Sequence, residues 1–198
     1  MSERDATALL FIECQRGVVG DHSVLPALAE AAQPALAAMG RLAAGARRSG
    51  VQVVHLTYLP LAGGRSTSRT APLMQATSSS AAWGEGHPAL EVVPEIGIDP
   101  ADLVVPRHQG ISPVHRTEVL TILRNMGMRE LVVAGVSTNL AIPLTAAGAA
   151  DEGFTVTIPT DASVGTPQRH HESMLRYSLA FVARLATTDE LLAEWGAG

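Results

Sequence analysis

ELVVAGVSTNLAIPLTAAGAADEGF, residues 130–154, reads as a strand, a sharp turn and a helix. Glu130, Leu131, Val132, Val133 and Ala134 form a short apolar run rich in β-branched residues, the mark of a buried strand. Gly135 is expected to break that run. Ser137, Thr138 and Asn139 carry side chains suited to the free amides at a helix start. Residues 140–150 are small and apolar, as in a helix packed closely on a sheet; Gly153 ends it, and residues 154–158 start another strand. Ligands of open α/β sheets bind outside the carboxyl ends of strands, where such a turn lies. Helix amides pointing there can hold an oxyanion. Every α/β domain has several such connections, so the function has to come from the rest of the chain.

Outward from this stretch the same alternation repeats. Residues 8–12 (ALLFI) resemble a central parallel strand with Glu13 at its carboxyl end. Ser23 can cap a helix that has Pro26 in its first turn and stops at Gly50, with a kink or break expected at Pro34. Residues 51–58 form a second strand and residues 103–105 a third, ended by Pro106. A helix over 117–126, strands at 130–134 and 155–158, a long helix over 168–182 and a short tail helix complete the chain. Met174, Leu175, Leu179 and Val182 are placed on the buried face of the long helix. The fold class is α/β, a mostly parallel sheet with right-handed crossovers. No repeat or linker interrupts it, so residues 1–198 read as one domain.

Residues 59–97 are the irregular part. A loop of this length is either a lid over a site or a disordered segment. Trp83 favours the lid, since a large aromatic seeks a surface to cover; the alternative is a crossing loop with a pinned Trp.

The 198 residues can bury a large core, and 46% hydrophobic residues with a mean hydropathy of +0.19 argue against disorder. A formal net charge of −5 without a Lys/Arg-rich block disfavours nucleic acid or an acidic membrane surface as partner. The single cysteine, Cys14, excludes an internal disulfide and a multi-cysteine metal site. The start, MSERDATALLFIECQ, has an acidic flank and too short an apolar run for a signal peptide. A soluble cytoplasmic protein is expected.

Glu13 sits where a strand delivers a side chain to a site; the alternative is a carboxylate capping local amides. Cys14 points to the opposite face by strand alternation and reads as a small buried hydrophobe. Arg107 ends the third strand and offers a planar fork for a carboxylate, or is a surface arginine. His108 and His115 follow it in a loop, and His170 and His171 begin the long helix. None has HxH, HxxxH or HExxH spacing, so they read as solvated and no metal site is expected. There is no GxGxxG, P-loop or nucleophile elbow, so no cofactor is expected.

The order of motifs resembles the isochorismatase-like hydrolases, also called the cysteine hydrolase family. ALLFIECQ resembles the family's opening strand, an apolar run followed by Asp, any residue, Gln. DLVVPR resembles the strand that ends in a catalytic Lys. GVSTNLAIPLTAAGAADEGF resembles its Gly-Val-x-Thr, Cys-Val, Thr-Ala and Gly-aromatic pattern, and TVTIPTDAS with LATTDELL its closing strand and tail. The resemblance implies an α/β/α fold, a homodimer or homotetramer, hydrolysis of small amides, imides or related bonds, and a cis peptide at Val136–Ser137. Carried across by position, the family's Asp falls on Glu13, its Lys on Arg107 and its Cys on Ala141. Gln15, Trp83 and His108, with Ser137, Thr138, Asn139 and Leu140, are expected to bind substrate.

All three catalytic positions differ from the pattern. Ala141 has no thiol, which closes the covalent acyl-enzyme route there. Glu13 reaches one methylene further than Asp, and Arg107 cannot relay a proton. A carboxylate, a cation and a turn of amides suit general acid or base chemistry on a small, anionic metabolite. The alternative is a non-catalytic relative that binds a small molecule or supports a partner.

Overall fold

Six consecutive buried residues, Thr7–Ile12, form the strand at the centre of the sheet. The structure, a computed structural model, describes residues 6–197; Gly198 and most of the acidic flank, residues 1–5, lie outside it. In chain order the strands are β1 (Thr7–Ile12), β2 (Gln52–Tyr58), β3 (Leu103–Arg107), β4 (Glu130–Val136), β5 (Thr155–Pro159), β6 (Ser163–Val164) and β7 (Arg184–Ala186). The helices are α1 (Arg16–Val19), α2 (Pro26–Ser49), α3 (Pro72–Ala76), α4 (Val119–Asn125), α5 (Ala141–Asp151), α6 (Gln168–Tyr177) and α7 (Thr188–Glu194).

The strands lie in the order β3-β2-β1-β4-β5-β7, with β6 beside the end of β4, and every pairing is parallel. Alternate side chains of β1 serve two cores. Leu9 and Phe11 pack with Leu36, Met39 and Leu42 of α2 and Leu191 of α7. Ala8, Leu10 and Ile12 pack with Leu123 of α4 and Ile142 and Ala146 of α5 on the other face. The fold is therefore a mostly parallel seven-stranded sheet with helices on both faces. From β1 the chain moves outward to β2 and β3, then returns to the far side of β1 for β4. The carboxyl ends of β1 and β4 thus flank the reversal of strand order, the usual place for a ligand crevice.

Several expectations change. The helix over 26–49 runs unbroken through Pro34. Pro34 and Glu30, whose carbonyl loses its partner, both lie on the exposed face, where water can replace the missing amide. Pro106 lies inside β3, which is tolerated because β3 pairs only with β2 and forms an edge. Gly135 does not end its strand: it pairs with Ile12 and with Ser163, and its φ of 102° brings it so close to β1 that a Cβ would sit 2.5 Å from the Ile12 carbonyl oxygen. The long helix stops at Tyr177 instead of 182. His171 is its one fully buried residue, and the chain turns at Ser178 to bring Leu179 into the core. Val182, expected on a buried face, is exposed.

Residues 59–97 contain α3 and three single-turn 3-10 segments, and Trp83 is buried against Tyr58 and Ala89. Among the described residues no helix is long and apolar enough to cross a membrane.

Candidate active site

The backbone leaves β1 through an unusual residue. Glu13 has φ 52°, the left-handed region that costs a non-glycine residue about 1 kcal/mol. Its amide still bonds to the Leu56 carbonyl. This twist sends the Glu13 side chain into a cavity at the strand ends, while Cys14 turns back into the core beside Met39. Cys14 is 2% exposed, and burial pushes its thiol far above the ordinary range, with Glu13 adding to the effect.

Arg107, at the end of β3, reaches the same cavity. Its Nη2 donates to Glu13, and its Nη1 donates to the Gly110 carbonyl at 2.7 Å. The guanidinium lies 4.9 Å from the centroid of the Tyr58 ring. Both members of the ion pair are largely covered, at 9% exposure for Arg107 and 16% for Glu13. Such a pair adds little net stability, but losing one member strands a charge away from water.

The third wall is the turn after β4, which follows a cis peptide between Val136 and Ser137. Side-chain capping by Ser137, Thr138 or Asn139, expected from sequence, does not occur; the helix cap is Leu140, with no side-chain bond. Instead Asn139 clamps the turn to the next crossover. Its Nδ2 donates to the Thr166 carbonyl at 2.6 Å, and its Oδ1 accepts the Thr166 amide at 3.0 Å. The Ser137 carbonyl accepts the amides of Leu140 and Ile142. The Ala141 amide between them finds no acceptor among the described residues.

Glu13, Arg107 and Ala141 all line one cavity of about 460 Å³, together with Trp83, Ser137, Asn139 and Leu140. Three of the sequence-derived binding positions lie elsewhere. Gln15 is 1% exposed and ties β2 down, bonding Tyr58 through both its amide atoms and the Leu90 carbonyl besides. His108 is exposed, with Nδ1 2.7 Å from the Leu59 carbonyl. Thr138 is buried behind the turn, 3.0 Å from His171 Nδ1. His171 is consequently not solvated; burial holds its pKa down despite the nearby Glu172. The sequence reading missed Tyr58, Met74 and Thr166 as cavity residues. Only the place of Tyr58 at the carboxyl end of β2 could have pointed to one of them. Among the described residues no group of three His, Cys, Asp or Glu is placed to hold a metal.

Comparison with known proteins gives a consistent outcome. Residues 7–190 match the family model described as Isochorismatase domain. An isochorismatase family protein of Bacillus subtilis (YwoC) is 31% identical over 121 residues, 60% of this chain and 64% of that relative, so the chain spans under two thirds of its length. One from Escherichia coli O157:H7 (YecD) is 26% identical over 94% of both chains. The crystal structure of a cysteine hydrolase from Pseudomonas syringae superposes with a TM-score of 0.76 at 20% identity, covering 98% of this chain and 95% of the other, which shows a shared fold.

Proposed function

The chain belongs to the isochorismatase family, and from that premise we propose that it is a hydrolase of small metabolites that works without a cysteine nucleophile. The observation that carries this reading is the convergence of Glu13 and Arg107 on a cavity also lined by Ala141, the residue onto which the family resemblance carries the nucleophile. The chain's one cysteine, Cys14, lies in the core instead.

In this reading Glu13 is the general acid or base. It delivers a proton to the leaving atom of the substrate or takes one from the attacking water, within an apolar enclosure that strengthens such contacts. Arg107 holds the Glu13 carboxylate in place and supplies fixed positive charge without exchanging protons. The turn over 137–141, with the unpaired Ala141 amide, is where an oxyanion would settle. Each role is the task these residue types do best in such a place.

The test is a hydrolase screen against small amides, esters and enol ethers, run on native protein and on protein treated with iodoacetamide. Turnover unchanged by the alkylating agent, and retained in Cys14→Ser, is the expected result. Turnover abolished by alkylation would return the chemistry to sulfur. Binding without turnover across the whole screen would favour a non-catalytic relative.

A further inference from the structure

Beside the cavity that holds Glu13 lies a second of about 350 Å³. The two share three lining residues, Met74, Gly110 and Ile111, so they adjoin. Their characters differ. Around the first, the walls are mainly aliphatic or aromatic, contributed by residues such as Leu28, Leu73 and Trp83. Around the second stand Ser68, Thr70, Gln109, Ser112 and His115. Each volume falls in the ordinary range for a small-molecule site.

The charges are also unevenly placed. Glu13 and Arg107 are the two charged residues of the first cavity, and they neutralise each other. Arg107 spends its other terminal nitrogen on the Gly110 carbonyl, where the two cavities adjoin. The second cavity has no Asp, Glu, Lys or Arg in its lining. An anionic group in the first cavity would therefore leave water without a free cation to meet it, which is costly, and in the second it would meet His115 alone among titratable side chains.

We infer that the two cavities form one elongated binding site for an uncharged substrate, with an apolar stem in the first chamber and a hydrogen-bonding head group in the second. This rests on the hydrolase reading above for which end reacts: the scissile group lies against Glu13, and the distal head meets Ser68, Thr70, Gln109 and Ser112. The anionic substrate expected from the isolated presence of an arginine gives way to a neutral one, because that arginine is already paired.

The test uses binding, measured by titration calorimetry, with four probes: butanamide, octanamide, 8-hydroxyoctanamide and the distal carboxylate 8-amino-8-oxooctanoate. Octanamide is expected to bind about tenfold or more tighter than butanamide, because its added methylenes leave water. The hydroxyl-tipped probe should match or exceed it, and the carboxylate should bind at least about tenfold more weakly than the hydroxyl-tipped probe. Filling the second chamber with Ser112→Trp should bring the octanamide-to-butanamide ratio close to one, and Thr70→Trp, at an exposed position, repeats the test if the first variant does not fold. Equal affinity for the short and long amides, a ratio unchanged in both variants, or a carboxylate that binds as tightly as the hydroxyl probe would overturn the inference. Because Glu13→Gln should retain the length preference while losing turnover, failure of the chemical reading is distinguishable from failure of this one.

Discussion

Glu13 and Arg107 lie 94 residues apart and meet as an ion pair across the end of β2, one leaving the central strand and the other ending the edge strand. The guanidinium is held on three sides, by the carboxylate, the Gly110 carbonyl and the face of Tyr58. Arg107→Ala should therefore cost about 3 kcal/mol of stability, because Glu13 would be left covered and unpaired. Arg107→Lys should keep the charge but lose the forked contact with Gly110. It should fold with a loss of about 1 kcal/mol and turn over about tenfold or more slowly. Chemical denaturation and steady-state kinetics on both variants check this; an Arg107→Lys enzyme with full activity would remove the need for the fork.

Gly165 has its own constraint. A Cβ there would overlap Thr138 Oγ1 and come within 2.7 Å of Asn139 Oδ1. Gly165→Ala should push the 137–141 turn away from the crossover that clamps it, costing about 1–3 kcal/mol. Thermal unfolding should show the loss, and activity should fall further than the stability change explains.

A trio on the α2 side of the sheet, with His55 buried and Arg47 half-buried, predicts a pH dependence of stability. His55, 1% exposed, lies 2.9 Å from Asp102, which also accepts from Arg47 at 2.6 Å. Burial holds the His55 pKa below its ordinary value of 6.5, outweighing the attraction of Asp102, and His55 Nδ1 has no partner. Below about 6.5 the unfolded chain protonates this histidine while the folded chain does not, so stability falls as the pH drops through that point. For Asp102, burial would raise the pKa, but hydrogen bonds from Arg47, the Asp99 amide and His55 pull it below 3.8. Its contribution is present above that value and is lost as the pH falls further. Unfolding free energies from urea titrations should decline from pH 7.5 to pH 5.5, by at most about 1.4 kcal/mol per pH unit from one histidine. His55→Asn should flatten that decline; an unchanged slope would assign the effect elsewhere.

Cys14 carries a simple prediction. Its thiol is packed against Met39 and the Ile12 carbonyl. Iodoacetamide should leave the native protein unmodified over hours, and mass spectrometry should find the adduct only after denaturation. Rapid labelling of folded protein would mean that the core opens at β1.

Five of the seven strands were legible from their apolar runs, whereas the two- and three-residue β6 and β7 are too short to carry such a signal. Residues 130–136 and 7–12 announce a buried parallel sheet without help from the rest of the chain. The convergence of Glu13, Arg107 and the 137–141 turn could be expected from their places at strand ends. Contacts across crossovers could not. Asn139 looks like a helix cap because its amide suits one, yet Thr166 claims both its side-chain atoms. Gln15, expected to bind substrate, instead serves the backbone of β2. Gly135 reads as a strand breaker, and only the approach of Ile12 and Cys14 explains why a glycine belongs inside the strand. In each case the deciding partner lies at least 25 residues away and carries no local signal.

The most direct test of a carboxylate-driven site is kcat for Glu13→Gln on a substrate that the native protein turns over. Glutamine keeps the shape and can still bond Arg107 through its carbonyl oxygen, but it cannot exchange a proton. A fall of about 100-fold or more, with the variant folded and still binding the substrate, is the predicted result. A kcat within about threefold of the native value would contradict the role given to Glu13.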